Sequence, residues 1–360
     1  MTIVQYITPS RMGGAETYFL TLCEFLAKRG HRVIIVTKRD CQLRIEAEKL
    51  RPLGVEVHGW HTRGKFDART LFRLVQLLKR ERADLLNTHL TTASWNGAWA
   101  GKLTGVPCAA WVHGRDRKTW FQWADKLLAV AGSVREFLIE QGVAPKKIEL
   151  LYFGVDLTRF TPFDDSQKRE AKASFQLSPD ARTVGVVASL IERKGHRFLL
   201  DALAGLPDDV EVLLAGEGPL EGELRAQAKQ LGLDGRVHFL GFQKEVKTVL
   251  AATDVFCLPS LKEGLPISIM EAQACGLVVV AAKTAGVPEV VREGETGFLC
   301  EAGDANALRL ALERALQSAE KSREIGRAAR SFLEENFERE MRLTGIEAFF
   351  VRMTRRGIVK

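Results

Sequence analysis

Two carboxylates eight residues apart, Glu263 and Glu271, are the side chains of this sequence best suited to holding a polar ligand. Between them, Pro266 suits the first turn of a helix, because its missing N–H costs little there. Glu263 and Gly264 would then lie in the loop before the helix, with Glu271 about two turns along. Free amides of a first helical turn bind anions or hydroxyls, and carboxylates accept from sugar hydroxyls or a ribose diol. Two glutamates without a function, one in a loop and one on an exposed helix face, are the alternative.

A pair of adjacent cations, Arg193 and Lys194, follows a predicted strand and precedes Gly195. Such a pair suits a diphosphate, since arginine offers a planar fork and lysine a point charge. A solvated basic loop is an equally good interpretation. The segment Gly216-Glu-Gly-Pro219 follows the next predicted strand and indicates a tight turn with close backbone approach.

Two further motifs lie in the first half of the chain, one between the first predicted strand and the first helix, and one at the end of a later strand. Gly13-Gly14-Ala15-Glu16 would let backbone amides meet a phosphate or a sugar closely, although an ordinary flexible turn has the same composition. It is not G-x-G-x-x-G and does not support a dinucleotide site. His113-Gly114 ends another strand. A lone histidine there is more often structural than catalytic.

The composition of the chain is that of an ordinary globular protein, which must supply the helices and strands that position these residues. The 360 residues are 46% hydrophobic and 27% charged, enough apolar material for two cores. We expect no transmembrane helix, because no apolar run reaches the ~20 residues that one needs. The N-terminus lacks the pattern of a signal peptide. The six scattered cysteines indicate reduced core thiols of a cytoplasmic protein and no disulfide. The net charge of +7 is uneven. Residues 1–160 hold 25 Lys and Arg against 15 Asp and Glu, whereas the remainder holds 27 against 30.

Short β-branched runs alternate with helical patterns along the chain, which predicts two tandem doubly wound α/β domains of Rossmann type. The predicted strands are Ile3–Ile7, Arg32–Thr37, Gly54–His58, Asp84–Thr88, Cys108–His113, Lys126–Ala131, Ile148–Tyr152, Thr183–Ser189, Val210–Ala215, Val237–Leu240, Val255–Pro259 and Val278–Ala282. Ligands bind beyond the carboxyl ends of such strands. Two such edges facing each other would form a central cleft.

The stretch from Gly154 to Arg182 interrupts this alternation and is predicted to connect the domains. We therefore expect one domain over residues 1–155 and a second over residues 156–337. The final helical pattern, about residues 338–360, could pack back on the first domain.

The ordered set of motifs resembles the retaining glycosyltransferases of family four, which have the GT-B fold. The order is Gly13-Gly-Ala-Glu16, His113-Gly114, Arg193-Lys-Gly195, Gly216-Glu-Gly-Pro219 and Glu263-x₇-Glu271. Tyr152-Phe-Gly-Val-Asp-Leu-Thr-Arg-Phe160 is similar to the family's linker entrance, and Gly286-Val-Pro-Glu289 to another recurring element. By this resemblance, residues 1–155 would be the acceptor-binding domain and residues 156–337 the nucleotide-sugar-binding domain. The sequence departs from the family at Ser189, where an arginine is common, and at Phe153, where the family often has asparagine.

The resemblance implies a role for each matched position. The implied catalytic residues are His113, Arg193, Lys194 and Glu263. The implied donor-binding residues are Gly13, Gly14, Gly216, Phe242, Gly264, Leu265, Pro266, Ile267 and Glu271. Phe242 belongs to a Leu240-Gly-Phe turn similar to the segment that flanks the nucleotide base. Glu263 would hold sugar hydroxyls, Glu271 the ribose, and the cations the diphosphate.

The same resemblance implies transfer with retention of configuration, in which the leaving phosphate takes the acceptor proton. UDP-sugar is the expected donor. No Asp-x-Asp metal motif follows a strand, so Arg193, Lys194 and helix N-termini would replace a metal ion.

The acceptor is expected on the basic first domain, near Glu16, Arg115, Arg117 and Lys118. Basic residues beside Trp120, Phe121 and Trp123, and the basic helical pattern Arg69–Arg82, suit an anionic lipid-linked acceptor or a peripheral site on the inner face of the plasma membrane. The helix could instead pack its apolar face on the sheet. A glycan of the bacterial envelope or lipopolysaccharide is the leading acceptor class.

Other functions stay open at this stage. An epimerase or a phosphorylase could use the same fold, although a phosphorylase would need a pyridoxal-binding lysine. The basic first half also admits a nucleic-acid-binding protein, but no nucleic-acid motif is present and no nucleic-acid partner is expected.

Overall fold

The computed structural model describes residues 1–10 and 12–357, which form two compact units. The first unit contains Met1–Phe153 and the C-terminal stretch from Glu340, and the second contains Gly154–Arg339.

A seven-stranded parallel sheet forms the first unit, in the order β3-β2-β1-β4-β5-β6-β7. Its strands are β1 (Thr2–Ile7), β2 (Arg32–Lys38), β3 (Glu56–Trp60), β4 (Leu85–His89), β5 (Cys108–Val112), β6 (Lys126–Ala129) and β7 (Ile148–Leu150). The helices between them are α1 (Gly14–Lys28), α2 (Gln42–Glu48), α3 (Ala68–Arg80), α4 (Thr91–Thr104) and α5 (Gly132–Glu140). Helix α1 buries Phe19, Leu22 and Leu26 at helical spacing, which explains its position against the sheet.

A six-stranded parallel sheet forms the second unit, in the order β10-β9-β8-β11-β12-β13. Its strands are β8 (Arg182–Val187), β9 (Val210–Ala215), β10 (Val237–Gly241), β11 (Val255–Leu258), β12 (Val278–Ala282) and β13 (Phe298–Cys300). Its helices are α6 (Asp165–Ser174), α7 (His196–Leu203), α8 (Glu221–Gln230), α9 (Lys247–Ala251), α10 (Ile267–Ala274), α11 (Val287–Val290), α12 (Ala305–Leu316) and α13 (Ala319–Asn336). The last helix of the chain is α14 (Arg339–Gly357).

The prediction of two parallel-sheet α/β domains is confirmed, and each of the twelve predicted strands is present with its ends shifted by at most two residues. Strand β13 was not predicted, because a run of three residues is too short for a periodic signal. Five of the six cysteines are buried free thiols, and Cys41 is half-buried.

The predicted connection between the domains was partly wrong, because residues 165–174 of that stretch form α6. The Asp164 carboxylate accepts from the Gln167 amide, and the Gln167 side chain accepts from the Asp164 amide, which is a capping box. Only Ala171 and Lys172 of α6 are buried. A helix with so small an apolar face carries little periodic signal.

Candidate functional site

Backbone loops after β8 and β9 pack directly against each other in the second unit. A Cβ on Gly216 would lie 2.0 Å from the Ala188 carbonyl oxygen, and one on Gly218 would lie 2.1 Å from that of Leu190. The Leu190 amide donates to the Glu217 carbonyl at 2.9 Å. Only glycine permits both approaches, so packing alone already requires the glycines of this turn.

The loop after β8 also packs on the end of β11. Gly195 has φ +68°, and a Cβ there would lie 2.0 Å from the Pro259 carbonyl oxygen. The Leu261 amide donates to the Arg193 carbonyl at 2.8 Å. These contacts hold the 3₁₀ turn Glu192–Lys194 beside the residues that follow β11.

The structure brings Lys194 and Glu263 together at this point. Lys194 Nζ donates to Glu263 Oε1 at 2.6 Å, and the side chains are 15% and 7% exposed. A charge-assisted bond of this length between shielded groups is strong. Arg193 behaves differently, since its side chain is exposed and forms no hydrogen bond or ion pair with other residues that the structure describes.

Helix α10 begins beside this ion pair. It starts at Ile267, so Pro266 is the N-cap and not a first-turn residue as predicted. No described side chain caps the helix through a hydrogen bond. Gly264 and Leu265 are buried, and the Gly264 carbonyl accepts from the Gly286 amide at 3.0 Å. The first amides of α10 are therefore available to a ligand acceptor.

Glu271 is the fifth residue of α10, so it lies just over one turn into the helix and not two. It is half-buried, and desolvation raises the pKa of its carboxyl to about 7, with Arg159 opposing this shift and Glu245 adding to it. Arg159 pairs with Glu245, with 3.2 Å between Nη2 and Oε1. Arg159 lies in the segment similar to the family's linker entrance, but its place beside Glu271 was not predicted. Glu245 belongs to no recognisable motif.

The predicted base-flanking turn follows β10. Phe242 is exposed, and its amide donates to Glu217 Oε1 at 3.3 Å. The Gly216 amide donates to the Gly241 carbonyl at 2.8 Å. The loops after β8, β9, β10 and β11 thus meet at one sheet edge in the second unit.

In the first unit, the glycine pair stands at the start of α1. Gly13 is its N-cap and Gly14 its first residue, and both are exposed. Glu16 is buried in the first turn, where a Cβ on Gly13 would lie 3.1 Å from Glu16 Oε2. The exposed backbone, more than the Glu16 side chain, is therefore what this turn offers to a ligand.

His113 directly follows β5 and is half-buried. Its Nε2 lies 3.2 Å from Nδ1 of His89, and the two rings stack with centroids 5.3 Å apart. Burial lowers the pKa of His113 to about 4, so the ring is neutral near pH 7. Sequence reasoning missed Asn87 and His89, although buried polar residues at the end of a strand can indicate a functional site.

The predicted acceptor residues after β5 are held mainly by α5. The Arg115 guanidinium lies over the Phe137 ring at 5.5 Å, and the Lys118 amide donates to Gln141 Oε1 at 2.8 Å. Arg117 is exposed. Positive charge is thus available on this surface without forming a defined anion site.

Residues 1–10 and 12–357 contain no group of three or more His, Cys, Asp or Glu that could hold a metal ion. None of their helices has the length and apolar character needed to cross a membrane.

Comparison with known proteins identifies similarity to glycosyltransferases over nearly the whole chain. The family model described as "Glycosyltransferase Family 4" matches residues 12–159, and "Glycosyl transferases group 1" matches residues 167–332. The chain is 30% identical to the UDP-Gal:alpha-D-GlcNAc-diphosphoundecaprenol alpha-1,3-galactosyltransferase of Escherichia coli, over 69% of this chain and 70% of that protein. It is 29% identical to the lipopolysaccharide core biosynthesis glycosyltransferase LpsE of Rhizobium meliloti, over 84% and 85%. Its fold is similar to that of Anabaena HepE in complex with UDP, with a TM-score of 0.87 and 23% identity over 98% of this chain and 100% of that one.

Proposed function

This chain belongs to family 4 of the glycosyltransferases, with the GT-B fold, and from that premise we propose that it moves a hexose from UDP-sugar to a glycan or lipid-linked acceptor with retention of configuration. The observation that carries the proposal is the shielded Lys194–Glu263 pair at the sheet edge where four loops meet.

Lys194 supplies the positive charge that a departing diphosphate requires. Its ammonium already lies next to the carboxylate that would hold the sugar hydroxyls, so one donor molecule can bridge both groups. The first amides of α10 add their N–H groups and the positive end of the helix dipole. Exposed Arg193 can swing onto the diphosphate. Stabilising charge on the leaving group is the main requirement of this reaction, and these groups meet it without a metal ion.

Glu271 would hold the ribose. An ionised carboxylate accepts from both hydroxyls of a diol, and its place in α10 keeps it at a fixed distance from the helix start. The leaving phosphate would take the acceptor proton, so no protein base is needed on the acceptor side.

A panel of nucleotide sugars and free nucleoside diphosphates tests the proposal. A ligand that binds only the native state raises the unfolding midpoint, and the effect grows with its concentration. We expect UDP and one UDP-sugar to stabilise wild type, and Lys194→Ala to abolish most of that stabilisation. Equal stabilisation of wild type and Lys194→Ala would refute the proposed site.

We further propose that the acceptor belongs to bacterial envelope or lipopolysaccharide synthesis and is reached at an anionic membrane. Similarity to the galactosyltransferase and to LpsE supports this acceptor class. Support for the membrane comes from five rings of the first unit, here called the aromatic array: Phe66, Trp95, Trp99, Trp120 and Trp123. Trp95 contacts Phe66, Trp99 and Trp120, and Trp99 contacts Trp123, with ring centroids 5.5 to 6.2 Å apart. Phe66 is 78% exposed and Trp123 39%.

Cations accompany the aromatic array. Lys65 Nζ lies 3.4 Å from the Trp120 ring centroid, and Lys102 Nζ lies 4.3 Å from that of Trp123. Amphipathic rings beside lysines suit the headgroup region of an anionic bilayer. Two details differ from the sequence interpretation. Phe121 is buried, and the exposed ring of α3 is Phe72, on the side away from buried Leu74 and Leu78.

A further inference from the structure

Four buried or half-buried side chains of the first unit form one continuous hydrogen-bonded chain, here called the histidine relay: Gln5, Asn87, His89 and His113. Asn87 Nδ2 lies 2.7 Å from Gln5 Oε1 and 3.0 Å from His89 Nε2. His89 Nδ1 then lies 3.2 Å from His113 Nε2. Gln5, Asn87 and His89 have no exposed surface, so these contacts are made without competition from water.

The orientation of the Asn87 amide determines which nitrogen of each ring carries the proton. Asn87 Nδ2 has two hydrogens, and it donates one to Gln5 Oε1 and the other to His89 Nε2. His89 Nε2 is therefore an acceptor, which puts the His89 proton on Nδ1. That proton is donated to His113 Nε2, so the proton of His113 lies on Nδ1.

Charge supports the same assignment. If His89 were doubly protonated, its Nε2–H would face the Asn87 amide hydrogens. If His113 were doubly protonated, its Nε2–H would face the Nδ1–H of His89. Desolvation lowers the pKa of both His89 and His113, in agreement with two neutral rings. His113 Nδ1 is buried and has no partner among the residues that the structure describes. A buried donor without a partner costs free energy, which a ligand oxygen would recover.

We propose that Asn87 and His89 are positioning residues that fix His113 as a neutral ring with its proton on Nδ1, ready to donate to a hydroxyl of the transferring sugar. This inference rests on the proposed glycosyl transfer. A neutral donor suits that place, because the sugar centre becomes positive during transfer and an imidazolium would repel it. Packing against Trp111 and Phe153 then holds the ring plane.

The position of the proton can be measured directly. With only seven histidines in the chain, two-bond ¹H–¹⁵N correlations resolve which nitrogen of each ring is protonated. We expect His113 of wild type to be neutral and protonated on Nδ1. Protonation of His113 on Nε2 would mean that the relay runs in the opposite direction, and the proposal would be overturned.

Variants of the histidine relay test whether the position of the His113 proton affects turnover. His89→Phe keeps a ring for stacking but removes both nitrogens, so nothing holds the His113 proton on Nδ1. We expect the Nε2 form to appear and kcat to fall about tenfold to a hundredfold with a smaller change in KM, which corresponds to one lost buried hydrogen bond in the transition state. Asn87→Leu should do the same to a smaller extent.

Thr88→Val is the matched control, because Thr88 lies on the same strand and bonds to Ser94 and to the Ala109 carbonyl, outside the relay. It should leave both the His113 proton and kcat unchanged. If His89→Phe moves the proton without lowering kcat, the positioning role is wrong. If wild type transfers no sugar from any nucleotide donor, the proposed function fails, while the proton assignment in wild type still decides whether the relay exists.

Discussion

Lys194 Nζ and Glu263 Oε1 lie 2.6 Å apart although 69 residues separate them in the chain. Lys194 belongs to the loop after β8 and Glu263 to the loop after β11, and β8 and β11 are adjacent in the sheet. Both side chains are largely shielded from water. Each charge is therefore balanced mainly by the other, and removing either one changes both the stability and the chemistry of this edge.

The first prediction concerns stability. Lys194→Ala leaves the carboxylate of Glu263 shielded and unpaired, so we expect the free energy of unfolding of the second unit to fall by roughly 2–4 kcal/mol. The double variant Lys194→Ala/Glu263→Ala should lose less than Lys194→Ala alone, because no uncompensated charge remains. All six tryptophans lie in the first unit, so circular dichroism, not tryptophan fluorescence, must follow this transition. Strictly additive losses would contradict the coupling.

The second prediction concerns turnover. Lys194→Ala should lower kcat by about a hundredfold or more, since it removes charge opposite the leaving group and such groups contribute roughly 3–4 kcal/mol. Lys229→Ala is the control, because Lys229 is an exposed lysine of α8 in the same unit. It should leave turnover unchanged. Initial rates at saturating donor, with circular dichroism showing that both variants are folded, provide the measurement. Near-normal turnover in Lys194→Ala would remove its leaving-group role.

The third prediction concerns pH and Glu271. Its pKa is about 7 in the folded protein against 4.5 for an unperturbed glutamate. Between these values the folded state binds more protons than the unfolded state, so stability falls as pH rises through this window. Glu271→Gln removes this dependence. Relative to that variant, we expect wild type to lose on the order of 1–3 kcal/mol between about pH 4 and pH 8.

Ligand binding should respond in the opposite direction, because the ionised carboxylate is the better acceptor for a ribose diol. Calorimetry should show UDP binding to wild type becoming tighter as pH rises through about 7. The Glu271→Gln variant corrects for titration of the phosphate itself. Identical pH profiles for the two proteins would contradict the ribose role of Glu271.

The sheets of this fold were predictable from sequence because buried parallel strands leave continuous apolar runs, such as Val210–Ala215, which was predicted with its observed ends. Helix α6 was not, because it is mostly polar and is stabilised at its start by a side-chain capping box. The sequence shows that the segment is polar, but its helical conformation depends on the capping box between Asp164 and Gln167.

The candidate site was predictable in its motifs and not in its contacts. Close backbone approaches explain why Gly195, Gly216 and Gly218 are glycines. A close approach at the Gly216 turn was predicted, whereas its partners, the carbonyls of Ala188 and Leu190, were not. It paired Arg193 with Lys194 as equal cations, but only Lys194 contacts Glu263. Pairings across 69 residues depend on the sheet order, which no local pattern contains.

The fourth prediction concerns metal dependence. Because Lys194 and the amides of α10 supply the positive potential at the proposed diphosphate site, we expect full turnover in excess EDTA. The assay compares initial rates before and after dialysis against chelator, with added Mg²⁺ or Mn²⁺ as the second arm. Loss of activity that either ion restores would overturn metal independence, while leaving the nucleotide-binding prediction intact.

The fifth prediction concerns the aromatic array and its lysines. Wild type should float with vesicles containing anionic lipid at low salt, and less at high salt, because Lys65 and Lys102 contribute a screened attraction of about 1 kcal/mol each. The double variant Phe66→Ala/Trp123→Ala removes the two exposed rings of the array. Since even partial burial of such rings is worth about 1–2 kcal/mol, its vesicle affinity should fall at least tenfold.

Leu310→Ala is the matched control for that experiment, because Leu310 is an exposed apolar residue of α12 in the second unit. It should float like wild type. Tryptophan emission gives an independent readout, since four of the six tryptophans belong to the aromatic array. Their emission should shift to shorter wavelength on anionic vesicles and stay unchanged on zwitterionic ones. If wild type fails to float at low salt, or if the double variant floats equally well, this surface does not bind membranes and the acceptor must reach the enzyme from solution.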